Sequence, residues 1–186
     1  MSGTKIGLKD LYYAKLTADT DLSATYGTPS KIAPAISATI TPNVNSVTLY
    51  ADDQAIETAE SMGDIEVEVE VNDIPNDILV ELLGLTKDAN GVIINSSNNT
   101  SPYIAIGFRS LKSNGKYRYV WLYKGKFQLP TDNYKTKGES AEFQSTTISA
   151  KFVSRTKDGK WKAQVDEDDE GIGVGVVDGW FASVYE

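Results

Sequence analysis

Aliphatic and acidic residues alternate strictly along residues 64–71. Because successive side chains of a β-strand point to opposite faces, this pattern predicts a strand with one apolar face and one carboxylate face. The apolar face consists of Ile65, Val67, Val69 and Val71. The carboxylate face consists of Asp64, Glu66, Glu68 and Glu70, with no basic residue nearby in the sequence. We therefore expect the first face in the core and the second against water or a partner.

The rest of the chain is also predicted to be mainly β. Alternating β-branched residues span 36–40 and 44–50, separated by a break or turn at Pro42-Asn43. Two hairpins are predicted over 103–129 and 146–165, because each contains a tight-turn pair, Asn-Gly or Asp-Gly.

One short helix is predicted around residues 74–84. Asn72-Asp73 can cap its start, Pro75 suits an early helical position, and Gly84 ends it. Its apolar residues recur at helical spacing: Ile78, Leu79, Leu82 and Leu83. A second, C-terminal helical face could be formed by Val177, Trp180, Phe181 and Val184. We expect the first helix to pack on a sheet.

Two residue types are missing, because the 186 residues include no cysteine and no histidine. Disulfides, thiolate nucleophiles and cysteine metal sites are therefore excluded. The lack of histidine argues against most hydrolase and oxidoreductase chemistry, although carboxylate-pair glycoside hydrolysis and serine-lysine catalysis stay open. No apolar run approaches the roughly 20 residues of a membrane helix, and no signal-peptide pattern follows Met1. We expect the protein to start in a cytoplasm.

Charge is segregated along the chain. Residues 40–100 contain twelve acids and one lysine, whereas residues 101–138 contain eight bases and one acid, within a net charge of -8. Segregation of this kind suits two complementary surfaces that meet between subunits. The alternative is that folding brings the two blocks together within one subunit.

An aromatic ladder is predicted on the second strand of the first hairpin. One face of that strand carries Tyr117, Tyr119, Trp121 and Tyr123. The neighbouring bases are Lys116, Arg118, Lys124 and Lys126. Such a face could stack nucleic-acid bases or sugars. Cross-strand packing is the interpretation we favour, because aromatic residues are common in strands.

Two apparent binding motifs fail at decisive positions. The acidic run 166–171 imitates the start of an EF-hand loop, but Val177 stands where a bidentate Glu is required. The glycine-rich run 171–175 lacks the third glycine of a dinucleotide fingerprint, because Val176 occupies that position. We therefore expect no metal site and no cofactor.

Four parts of the chain carry a family resemblance. They are IGLKDLYYA at 6–14, ISATITPN at 36–43 with LYADD at 49–53, RSLKSNGKYRYVWLYKGKF at 109–127, and DGKW at 158–161. Together they resemble the phi13-type major tail proteins of tailed bacteriophages, and the segment 109–127 is the most specific part. The resemblance covers nearly the whole chain.

The resemblance implies a structural protein with no catalytic residues and the tail-tube fold, a β-sandwich with a flanking helix. It implies hexameric rings that stack into the tube of a long, non-contractile tail, part of the virion and assembled in the host cytoplasm. The implied partners are further copies of the chain, a tape-measure protein, a tail terminator and tail-tip or baseplate proteins. DNA would pass without adhering, and no membrane is involved.

Within that family, the acidic strand becomes a candidate lumen lining. We expect Glu66, Glu68 and Glu70 to face the channel on a strand continued from subunit to subunit, because a wall of carboxylates does not hold DNA phosphates. We call the acidic residues Asp64, Glu66, Glu68 and Glu70 the carboxylate stripe. Two alternatives are that this stripe faces outer solvent, or that it pairs with the basic strand 116–126.

The domain organisation is predicted as one domain over 1–186. It has an N-terminal arm about 1–20, a long polar loop about 43–63 and an acidic, glycine-rich extension about 166–186. A long polar excursion between two strands is uncommon without a function, so we expect this loop to reach the next ring. Its acidic residues are Asp52, Asp53, Glu57 and Glu60. The alternative is a surface loop without a partner.

Two other function classes stay open. A carbohydrate- or cell-surface-binding β-sandwich would use the aromatic ladder as a platform for sugars. A carboxylate-pair glycosidase would need two acids that converge in a pocket.

Overall fold

A computed structural model describes residues 3–51, 54–131, 136 and 144–186. The chain is mainly β, with 53% of the described residues in strands and 5% in helix. The strands, in chain order, are β1 Lys5–Asp19, β2 Ala24–Tyr26, β3 Ser30–Lys31, β4 Ala35–Ala51, β5 Gln54–Val71, β6 Thr86–Lys87, β7 Ile93–Ile94, β8 Ile104–Lys112, β9 Tyr117–Phe127, β10 Thr146–Phe152 and β11 Lys162–Asp166. The helix α1, Asn76–Leu83, lies between β5 and β6.

In the described part of the chain, nine of these strands form one antiparallel sheet in the order β2-β1-β8-β9-β10-β5-β4, with β11 on β9 and β3 on β1. Where β9 pairs with β10, Gly125 lies against Phe152. A Cβ on Gly125 would stand 2.5 Å from the Phe152 ring, so only glycine allows this approach. The two halves face each other across the core and form the predicted β-sandwich.

The core confirms the alternation of residues 64–71. Ile65, Val67, Val69 and Val71 are each at most 1% exposed. On β10, Phe152, Ala150 and Ile148 pair with the first three of them in register, and all three are buried. Burial of each aliphatic side chain contributes roughly 1.5–3 kcal/mol, so this pair of strands is a major source of stability.

The helix is confirmed, but its start differs from the prediction. Pro75 occupies the N-cap position and no side chain caps the helix, while Asp73 accepts a hydrogen bond from the Ile74 amide. The end is as predicted, because Gly84 adopts φ 66° and leaves the helix in the left-handed region. Leu82 and Leu83 are buried against the sandwich.

Several local predictions are wrong. Residues 174–182 form successive turns and not a second helix. The chain does not turn at Pro42-Asn43, which only marks a register irregularity within β4. Both β10 and β11 are formed, yet they pair end to end with β9 and not with each other. The predicted N-terminal arm forms β1, which pairs with β8 on one edge and with β2 and β3 on the other.

The predicted loop about 43–63 is also wrong, because most of it is regular strand. β4 and β5 pair from Val44 with Met62 to Ala51 with Gln54. We call residues 44–51 and 54–62 the ribbon. An alternating pattern of apolar and polar residues arises only where one face of a strand is buried. Nearly every described side chain of the ribbon is exposed, so its sequence lacks that pattern and resembles a loop.

Candidate functional site

The carboxylates of β5 lie on one exposed face of the sandwich. Glu66 and Glu68 are exposed and Glu70 is partly buried. β5 pairs with β10 on one edge and with β4 on the other, so its carboxylates lie between two rows of neighbouring side chains. The register partners of these carboxylates are mostly small and polar: Thr41, Thr39 and Ser37 on β4, and Lys151, Ser149 and Thr147 on β10. The structure thus brings together the three glutamates that the sequence grouped.

One ammonium reaches the carboxylate stripe. Lys151 Nζ lies 2.9 Å from Asp64 Oδ2 and 3.6 Å from Glu66 Oε1. The hydrogen bond from Lys151 lowers the pKa of Asp64, and the same contact raises the pKa of Lys151. Sequence reasoning missed this partner, because Lys151 is 87 residues from Asp64 and meets it only through strand pairing.

Glu70 of the stripe has neutral partners. Glu70 accepts hydrogen bonds from the hydroxyls of Ser37 at 3.2 Å and Ser145 at 2.6 Å. Within the residues that the structure describes, no base lies within 4.0 Å of the Glu68 or Glu70 carboxylate. The stripe therefore keeps a clear excess of negative charge.

Five of the six described bases in the basic block form ion pairs, and Lys126 has no carboxylate within 4.0 Å among the described residues. These pairs are Arg109 with Asp10, Lys112 with Asp166 and Asp168, Lys116 with Glu167, Arg118 with Asp166, and Lys124 with Asp19. None of these acids belongs to residues 40–100. For the described residues, the alternative that the two charge blocks neutralise each other within one subunit is wrong, and so is pairing of the stripe with the basic strand.

Asp166 belongs to a buried ionic cluster. Lys112 is 1% exposed, and its Nζ lies 2.9 Å from Asp166 Oδ2. Arg118 makes a two-pronged contact with the same carboxylate and, with Lys112, lowers the pKa of Asp166 to about 2. Lys112 also pairs with Asp168. Two of the carboxylates that imitate an EF-hand loop, Asp166 and Asp168, are thus engaged by bases, and the described residues contain no cluster suited to a metal ion.

The aromatic ladder of β9 is internal. Tyr119, Trp121 and Tyr123 are at most 6% exposed, because residues 176–184 cover them. The Trp121 indole N–H donates to the Trp180 carbonyl at 2.9 Å, and Phe181 stacks on Tyr12 with ring centroids 4.6 Å apart. The favoured interpretation, that the ladder is a packing element, is therefore confirmed. The alternative that this face is a platform for sugars or nucleic-acid bases is wrong.

The ribbon carries apolar side chains that none of the described residues covers. Val47, Leu49, Tyr50 and Ile56 are 58–70% exposed. Glu57 pairs with Leu49 and Glu60 with Ser46, so these two predicted contact residues lie on opposite faces of the ribbon. Asp52 and Asp53, the other two, lie outside the described residues.

In the part of the chain that the structure describes, no helix has the length and apolar character of a membrane span. A comparison with curated proteins finds no match. A family model described as phage tail tube protein matches residues 19–170, which include the acidic strand, the ribbon and the ladder strand. The narrower phi13-type assignment stays a prediction. Because the match covers most of the sequence, this chain belongs to the phage tail tube protein family.

Proposed function

We propose that this protein polymerises into hexameric rings, which stack around a tape-measure protein into a tail tube and later conduct DNA. The family supports a structural subunit of a phage tail tube. The observation that carries the proposal is the carboxylate stripe of β5, in which four acids of one sheet face meet only one ammonium among the described residues of β4 and β10.

The stripe suits a channel that DNA must cross. Duplex DNA binds tightly where lysines or arginines neutralise its phosphates, and a carboxylate surface prevents this. Glu66, Glu68 and Glu70 would line the lumen, while the opposite face of β5 holds the core. Both edges of β5 are already paired, so the sheet would continue between subunits through an edge strand such as β4 and not through β5 itself.

The ribbon suits the contact between rings. It extends about 25 Å from Val44 to Ala51 at the usual rise of a strand. Its exposed apolar residues would be costly in an isolated subunit and are typical of an association surface. The subunit would act without catalysis in the virion tail, after assembly in the host cytoplasm. Its partners would be its own copies, the tape-measure protein, a terminator and tail-tip or baseplate proteins.

Electron microscopy of the purified protein at high concentration tests the proposal. We expect hollow tubes or rings, with Glu66, Glu68 and Glu70 within one side chain's reach of the channel in a reconstruction. Tubes with this stripe on the outer surface would remove the lumenal assignment. A protein that stays monomeric, even with tail-tip proteins as initiators, would contradict the assembly itself.

A further inference from the structure

An open cleft of about 480 Å³ lies between β1 and β4. β4 pairs only with β5, and β1 before Tyr12 pairs only with β8, so both strands have a free edge here within the described residues. The floor is apolar and comes from β8, β9 and the residue before β11: Phe108, Val120 and Trp161. On the β4 wall, Ile36 is 55% exposed.

The rim of this cleft is positively charged. Lys5, Arg118 and Lys162 line it, and Arg118 is neutralised by Asp166. In the described ranges, no carboxylate lies within 4.0 Å of the Lys5 or Lys162 ammonium. Burial lowers the pKa of Lys162, and the positive charges of Arg118 and Lys5 lower it further. An acidic group placed between Lys5 and Lys162 would relieve this repulsion.

One face of the ribbon has the complementary chemistry. Val47 and Leu49 lie on the same face as Glu57, because Glu57 is the register partner of Leu49. Val47 is 70% exposed and Leu49 is 58% exposed, so this face does not lie in its own subunit's cleft. It offers apolar side chains for the floor and a carboxylate for the rim.

We propose that the cleft of one subunit receives this ribbon face from a second copy, with Glu57 beside Lys5 and Lys162. The inference rests on the proposed function, in which the ribbon joins successive rings. Ribbon and cleft are different surfaces of one chain, so their contact is heterologous and leaves a free ribbon and a free cleft at the two ends. Such a contact repeats along a stack without closing.

Charge reversal tests the pairing. Glu57→Lys and Lys162→Glu should each raise the protein concentration needed for tube formation by about tenfold or more, because each places like charges together. Lys5→Glu, at an exposed position, gives the same test if Lys162→Glu impairs folding. A chain with Glu57→Lys, Lys5→Glu and Lys162→Glu should recover to within about threefold of the wild type. Asp21→Lys, at an exposed bend outside both the ribbon and the cleft, is the matched control and should have little effect.

Cross-linking separates this contact from the tube assignment. Because the chain lacks cysteine, Glu57→Cys with Lys162→Cys provides a defined pair. Oxidation should link subunits into disulfide ladders, whereas Glu60→Cys with Lys162→Cys should not. Tubes without disulfide-linked subunits would overturn the cleft contact and leave the proposed function standing. Disulfide-linked subunits without tubes would support the contact and contradict the tube. The absence of both would overturn both proposals.

Discussion

Trp121 donates its indole N–H to the main-chain carbonyl of Trp180 at 2.9 Å, and this bond fastens the C-terminal segment over the aromatic face of β9. Trp180 is 2% exposed and packs against Tyr119 and Tyr185. The C-terminal segment is therefore part of the folded core, although it continues past the region matched by the family model.

Replacement of Trp180 by alanine should destabilise the subunit by about 3–5 kcal/mol, because it leaves a cavity over Trp121 and Tyr119. Denaturant unfolding measures the loss, and increased binding of a hydrophobic dye should accompany it. Val174→Ala is the control, since the Val174 side chain is fully exposed and should contribute almost nothing. Equal effects of the two variants would show that the segment does not stabilise the core.

Lys112→Met should lower the free energy of unfolding by more than the roughly 1 kcal/mol that is typical of an exposed ion pair. The change removes the ammonium from a buried cluster and leaves Asp166 and Asp168 with less compensation. Lys116→Met is the matched control, because Lys116 pairs with Glu167 at a half-exposed site and should change stability by no more than about 1 kcal/mol. A small loss for Lys112→Met would mean that water compensates the cluster.

Acid should unfold the protein partly through Asp166. Its pKa is lowered to about 2 by Arg118 and Lys112, below its ordinary value of 3.8. A carboxyl group with a depressed folded-state pKa contributes stability that is complete above pH 3.8 and is lost as pH falls toward 2. Asp166→Asn should flatten this part of the curve. Because the chain has no histidine, we also expect little change in stability between about pH 5 and 8.

Reversal of the stripe should make the tube retain DNA. A variant with Glu66→Lys, Glu68→Lys and Glu70→Lys should co-sediment with duplex DNA, and added salt should release it as phosphate contacts are lost. The corresponding glutamine variant controls for shape and should bind much less DNA. DNA held in the channel should resist an added nuclease, whereas complete digestion of the bound DNA would show that the stripe faces outward and not the channel.

Removal of the ribbon should abolish assembly and spare the fold. Replacing residues 46–60 with Asn-Gly would close the hairpin at the Asn45–Ser61 pair with a two-residue turn. The ribbon's described side chains are almost all exposed, so unfolding of the shortened subunit should require nearly the same denaturant concentration. Electron microscopy should then show monomers, and normal tubes would refute a role between rings.

Particular elements show what could be read from the sequence. The alternation at 64–71 predicted both faces of β5, and Asn114-Gly115 predicted the β8–β9 hairpin, because each pattern is local. The prediction of a C-terminal helix is wrong, although the spacing of its apolar residues fits one helical face. Successive turns, and not a helix, bring Val177, Trp180, Phe181 and Val184 against the aromatic ladder. The predicted hairpin over 146–165 is wrong because β10 and β11 each pair with β9 and not with each other.

The sequence by itself determined the strand-rich character of the chain, the apolar and acidic faces of β5, and the exclusion of cysteine and histidine chemistry. Those properties follow from residue identity and from the two-residue period of a strand. Only the tertiary structure decided that residues 44–51 and 54–62 are a ribbon, that the aromatic ladder is buried, and that Lys112 meets Asp166. These depend on contacts between residues distant in the sequence, which no local pattern encodes.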